Sequence, residues 1–175
     1  VEAERRRADA AEADRDRWIA AHQRPRPRFD AIAALWDALK PAADATAIAA
    51  MDSSDGLANA VLHLCQASGV GAVLQADSLP IDPAIEAWVG RSQAIDWCLY
   101  GGEDFELVLC LPWAVARALQ PRLGQSCAIV GETTSALVVE LRSSASERSS
   151  DSSTVLNFER GFQHFTAGSL GTGQL

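Results

Sequence analysis

An α/β fold is what this sequence predicts, and three observations predict it. Short apolar runs of strand length recur along the chain, amphipathic stretches at helical spacing separate them, and turn residues mark the junctions. At 175 residues the chain fits one ordinary domain with a sizeable core.

The elements follow in order. Residues 2–22 are rich in Ala, Arg and Glu and read as a helix, but Trp18 and Ile19 are its only large apolar members, so it packs weakly by itself. The "QRPRPR" stretch at 23–28 ends it, because each proline removes a donor and pushes the preceding residue toward extended backbone. Phe29, Ile32, Leu35, Trp36 and Leu39 then recur at helical spacing before Lys40 and Pro41, predicting a helix that turns these residues to the core.

Residues 46–51 read as a buried strand. Ser54 is the expected N-cap of a helix carrying Leu57, Val61 and Leu64 on one face, with Gly69 placed to end it, and residues 69–77 form the next strand. The result is a β-α-β pattern with Asp52 at the strand's carboxyl end and Asp55 in the first helical turn. Open α/β sheets bind ligands at such edges.

Residues 79–84 are a loop and 84–89 a short helix. Phe105, Leu107, Leu109 and Leu111 alternate with Glu106, Val108 and Cys110 as in a strand, after a Gly101-Gly102 turn whose glycines are expected to supply positive φ. A helix over 113–120 and strands near 128–130 and 136–141 come next. The Ser-rich segment "RSSASERSSDSS" at 142–153 reads as a low-complexity loop before a last strand at 154–158.

Composition excludes several classes. No apolar run of about 18 residues predicts a membrane span, and residues 1–19 lack the apolar core of a signal peptide, so a cytoplasmic protein is expected. The chain starts at Val1 without Met, which suggests a piece of a longer protein. Cys65, Cys98, Cys110 and Cys127 are too widely spaced for a CxxC motif and read as reduced core residues; His22, His63 and His164 are too scattered for structural zinc.

The net charge of −8 is uneven. Residues 1–28 carry eight arginines against six acids, and the remainder seven basic groups against 17 acids. Such an acidic body lacks the basic stripe of a nucleic-acid surface. A phosphorylated ligand of this body would need cations from elsewhere.

Three constellations carry chemistry. In "MDSSDGL", Asp52 and Asp55 converge and repel unless a cation sits between them; Mg2+ prefers one or two carboxylates together with phosphate oxygens and water. An acid in a first helical turn also complements the helix dipole, so both readings stand for Asp55. Gly56 lets a ligand or another chain segment approach the turn closely. "GGEDFEL" presents Glu103 and Asp104 before a buried strand, as either a glycine hairpin with solvated acids or a site. In "ERGFQHF", Phe162 and Phe165 flank a polar pair near the end, as either core or contact residues.

Taken together and in this order, "RPRPR", "MDSSDGL", "YGGEDFEL" and "GFQHF" resemble the C-terminal half of the thiamine-monophosphate kinases, from about His22 to Phe165. These kinases share a superfamily with aminoimidazole ribonucleotide synthetase, selenophosphate synthetase and a hydrogenase-maturation protein. The resemblance implies a three-layer α/β/α domain with a mixed sheet. It also implies transfer of the γ-phosphoryl group of ATP to thiamine monophosphate.

By the same resemblance Asp52 and Asp55 would bind Mg2+, Ser54 would contact ATP, and Glu103 and Phe162 would contact the thiamine substrate. Residues 1–28 would be a connecting helix and linker, 29–165 the substrate- and metal-binding domain, and 166–175 a tail. The family's N-terminal ATP-binding domain, which also carries the main homodimer contact, has no counterpart in this chain. Little activity is therefore expected of the chain alone. A sister ATP-dependent enzyme, or a non-catalytic module retaining the fold, are the alternatives.

The physics agrees with these roles. The attacking group is already an ionised phosphate oxygen, so the difficulty is bringing two polyanions together, and metal ions are the main lever. This fits a chain with one lysine, Lys40, and no GxxxxGK[ST] loop.

Overall fold

The expected mixture of helices and short strands is present, with a different strand pairing from the β-α-β expectation. The structure is a computed structural model that describes residues 2–40, 47–124, 127–143 and 153–160. In chain order the elements are α1 (Glu2–Gln23), α2 (Phe29–Leu39), β1 (Ala49–Asp52), α3 (Leu57–Ser68), β2 (Gly71–Gln75), a 3-10 turn (Ala76–Ser78), α4 (Pro83–Val89) and α5 (Arg91–Tyr100). After these come β3 (Leu107–Cys110), α6 (Trp113–Leu123), β4 (Gly131–Thr134), β5 (Val139–Arg142) and β6 (Ser153–Val155).

β1 and β2 do not share a sheet. β2 lies in a mixed sheet of order β4-β2-β5-β6, parallel to β5 and antiparallel to β4. β1 instead pairs antiparallel with β3, from Ala49 opposite Cys110 to Asp52 opposite Leu107. α3 thus leads from one sheet to the other. A strand partner more than fifty residues away is chosen by the assembled fold, and local spacing does not encode it.

The main core forms where α3 covers the sheet. Ala58, Val61, Leu62 and Cys65 pack with Ala72, Leu74, Val139, Leu156 and Leu99. Gly69 ends α3 in the left-handed conformation, with its N–H bonding back to the helix, as its position predicted.

A second cluster holds Leu35 and Ala38 of α2 against Val115 and Leu119 of α6. The β1–β3 ribbon lies between the clusters: Val108 packs into the first, Leu109 and Leu111 into the second. With both faces covered, the strand reads as the continuous apolar run "LVLC", and the layering is helix, strand, helix.

Several boundaries and one face differ from expectation. α2 forms where predicted, but it buries Ala31, Leu35 and Ala38, while Phe29 and Trp36 are 78% and 62% exposed and Ile32 is exposed too. Leu35 and Leu39 face α6 as expected, and the alanines beside them let the helices approach closely, while Phe29, Ile32 and Trp36 lie outward.

α5 was not expected. Only Ala94 and Leu99 are buried along it, too few for a helical stripe to stand out in the sequence. β3 starts at Leu107, two residues later than predicted, because Phe105 has φ +52° and cannot extend the strand.

β1 starts at Ala49, β4 at Gly131, past the predicted 128–130, and β6 covers Ser153–Val155, with Phe158 in the turn beyond. Most of the Ser-rich segment, and "GFQHF" with Phe162, lie outside the described residues.

α1 docks near its end. Trp18 stacks on Trp88 of α4 at 5.8 Å and donates its indole N–H to Asp82 at 3.0 Å, and Arg17 pairs with Asp82 at 2.7 Å. All four cysteines are free thiols; Cys65 is buried in the core, while Cys98, Cys110 and Cys127 are half-buried, and burial pushes Cys98 up to about 11. Among the described residues no helix is long and apolar enough to cross a membrane.

Candidate functional site

β1 delivers Asp52 to its carboxyl end, and the chain then turns tightly. The Gly56 N–H donates to the Ser53 carbonyl at 2.8 Å, and Gly56 takes φ +96°, which only glycine adopts without strain. Gly56 is the residue that caps α3, with no side-chain cap bond. This corrects two expectations: Ser54 is not the N-cap, and Asp55 lies in the turn before the helix, outside its first turn. The hydrogen-bonded turn and the positive φ use up the capping position, so neither side chain is committed to the helix.

The loop before β3 is stitched onto this turn. The Ser53 N–H donates to the Glu106 carbonyl at 2.8 Å, and the Glu103 N–H donates to the Ser54 carbonyl at 2.7 Å. The first two constellations read in the sequence, fifty residues apart, are therefore one structural unit.

Glycine is needed on both sides of this seam. A Cβ at Gly56 would stand 2.9 Å from the Leu99 carbonyl oxygen, and one at Gly102 would stand 2.8 Å from that of Ser54. Gly56 thus admits another chain segment, one of the two uses expected for it. The positive φ angles of the second loop fall elsewhere than predicted. Gly101 is at −64°, and Glu103 and Phe105 take +69° and +52°. Left-handed backbone at a non-glycine residue costs about 1–2 kcal/mol, and such strain concentrates at functional sites.

The seam gathers acids. Glu103 approaches Nε2 of His22 at 3.6 Å. Although the residue is exposed, partial desolvation holds the Asp104 carboxyl above its usual range; neighbouring Glu106 adds to this, and His22 opposes it. Glu106 pairs with Arg28, whose Nε and Nη2 also hold both oxygens of Asp30 at 3.0 Å. Asp52 is exposed and Asp55 half-buried, and neither carboxylate is engaged by another described residue.

No cluster of three metal-type donors exists among the described residues, and the end of β1 and the turn after it carry two carboxylates, those of Asp52 and Asp55. That donor set fits Mg2+, which completes its shell with phosphate oxygens and water. An open hollow of about 540 Å3 between β1 and α3 is lined by Ala50, Met51, His63, Leu64, Gln66 and Ala67, and none of the predicted site residues lines it.

The structure thus brings Asp52, Ser54, Asp55 and Glu103 to one seam, and Phe162 falls outside the described residues. His22 and Arg28 were missed as site neighbours. For Arg28 the "RPRPR" stretch was the available signal, and it was read as a connector and as part of the family resemblance, with no contact to the site assigned to it.

An α/β domain with an unpaired acidic turn at a strand's carboxyl end is the class that fold and site define. The chain belongs to the family described as AIR synthase related protein, C-terminal domain, which it matches over residues 3–142. It is 47% identical over 156 residues to thiamine-monophosphate kinase of Synechococcus elongatus, an alignment covering 89% of this chain and 44% of that protein.

Among solved structures it is similar to thiamine-monophosphate kinase from Stenotrophomonas maltophilia K279a, with a TM-score of 0.54 and 34% identity, covering 67% of this chain and 36% of that one. A HypE-HypF complex shares the fold at a TM-score of 0.52 and 17% identity, over 70% of this chain and 40% of that one. The chain spans less than half the length of these relatives.

Proposed function

We propose that this chain is the C-terminal, metal- and substrate-binding part of a thiamine-monophosphate kinase. The kinase would use ATP and Mg2+ to make thiamine diphosphate and ADP. The observation that carries the reading is the seam itself: two loops joined by backbone hydrogen bonds, with Asp52 and Asp55 given no cation by any described residue. The similarity to proteins named thiamine-monophosphate kinase supports it.

In this reading Asp52 and Asp55 hold Mg2+ and Ser54 contacts ATP. Glu103 and Phe162 contact the thiamine monophosphate. Bound Mg2+ supplies charge neutralisation between the two polyanions. A phosphate oxygen of thiamine monophosphate forms the new bond to the γ-phosphorus while the bond to the β-phosphate oxygen breaks, and ADP leaves with that electron pair. The nucleophile is already ionised, so no side chain has to remove a proton. The contribution of this chain is to orient the acceptor and fix the carboxylates on a rigid turn.

The rest of the ATP site and a homodimer contact would come from a domain upstream, and the full protein would work in the cytoplasm. The test follows thiamine diphosphate formation from thiamine monophosphate and MgATP by chromatography. It compares this chain with one extended upstream to the length of its relatives. Product from the extended chain alone is expected. Product from neither would leave a sister enzyme or a binding module.

A further inference from the structure

We propose that Arg28 is a positioning residue for this site, holding the loop that carries Glu103 against the turn that carries Asp52 and Asp55. What the site does rests on the kinase reading above; the clamp itself does not.

Arg28 ends the proline-arginine linker and its side chain is only 13% exposed. Its guanidinium is fully committed: Nε and Nη2 grip both oxygens of Asp30 at 3.0 Å, and Nη1 pairs with Oε2 of Glu106. With both carboxylates on it, it is not a free cation for a phosphate.

The clamp falls on a residue that is also held from the other side, since the Glu106 carbonyl accepts the Ser53 N–H at 2.8 Å. The Glu103 N–H anchors the other end of the segment on Ser54. The anchored segment 103–106 holds the two left-handed residues, Glu103 at one anchor and Phe105 between them. A strained segment of this kind persists only when its surroundings over-determine it.

Arg28 also supplies the charge that Glu106 lacks. Asp104 is already pushed toward its protonated form by burial and by Glu106. Without the guanidinium, the two acids would relieve their repulsion by moving the loop off the turn. A lysine cannot substitute fully, because a point charge cannot grip two carboxylates in fork geometry.

The test measures amide hydrogen exchange by NMR on the 175-residue chain. In Arg28→Ala, exchange at Ser53 and Glu103 should rise about tenfold relative to Val73 in β2, with Arg28→Lys between the two. The double variant Arg28→Ala with Glu106→Gln should restore most of the protection, because the uncompensated charge is gone. Equal acceleration at Val73, or no rescue by Glu106→Gln, would overturn the clamp.

In the upstream-extended enzyme, Arg28→Ala should raise KM for thiamine monophosphate about fivefold while changing kcat less. Unchanged KM would overturn the positioning role. An extended wild-type protein without activity would sink the kinase reading, and the exchange result would still decide the clamp.

Discussion

Two groups of carboxylates lie on either side of the same seam, and the chain treats them oppositely. Asp30 and Glu106 share one guanidinium, that of Arg28. Asp52 and Asp55 receive no cation from any described residue, although the chain carries 15 basic side chains. Where two acids serve the fold, the counter-charge is built in. In the kinase reading proposed above, Asp52 and Asp55 are kept for a ligand, and their counter-charge arrives with it. Unpaired acids on a tight turn cost little while they remain hydrated, so the second arrangement is tolerable without a partner from the chain.

The sharpest way to break this comparison is to neutralise each group in turn. In the upstream-extended protein, Asp52→Asn together with Asp55→Asn should lower Mg2+-dependent turnover about a hundredfold or more. The same pair should change folding stability by no more than about 0.5 kcal/mol in urea titrations. A large stability loss with turnover intact would make the unpaired acids structural.

Next in size is the turn that presents them. Gly56→Ala should destabilise the domain by about 2 kcal/mol or more, since the new Cβ meets the Leu99 carbonyl and the backbone is left-handed. A urea midpoint equal to wild type would mean that the seam tolerates looser packing.

The paired group should show itself in acid. Hydrogen bonds from Arg28 hold the Asp30 carboxyl below its ordinary range. Its contribution is therefore present above the unfolded value of about 4 and lost as pH falls through the lowered folded value. Asp30→Asn should flatten that part of the curve of stability against pH. An unaltered acid limb would show that the pair adds nothing to folding.

The smallest effect concerns Asp104, whose carboxyl is held above its ordinary range, first by burial. Its protonated form favours the fold, so stability is full below about 4 and declines as pH rises through the raised folded value. Asp104→Asn should raise Tm slightly at pH 7 and make no difference at pH 3. A lower Tm at pH 7 would mean that the ionised group has a partner that matters more than its burial.

Much of the domain was legible in its residues, for reasons that are local. Helix α3 was readable at both ends of its apolar stripe, and Gly69 stopped it where the left-handed angle was needed. "MDSSDGL" and "GGEDFEL" were legible as constellations because acids beside glycines are rare within regular elements. Helix α2 was legible only in extent. Its periodicity marks a helix and Leu35 and Leu39 face the core as read, but which neighbours join them depends on what lies opposite, and α6 takes Ala38 while Phe29 and Trp36 stay exposed. α5 escaped because its buried residues are too few for a periodic pattern.

By itself the sequence determined the class of fold, where most of the helices lie and which constellations stand out, because propensity, spacing and turn stereochemistry act within a few residues. The tertiary structure alone decided that β1 pairs with β3, that Gly56 displaces Ser54 from the cap, and that Arg28 grips Glu106. The first and last depend on backbone or charge from a distant segment, and burial and hydrogen bonding select such partners only once the chain has closed on itself.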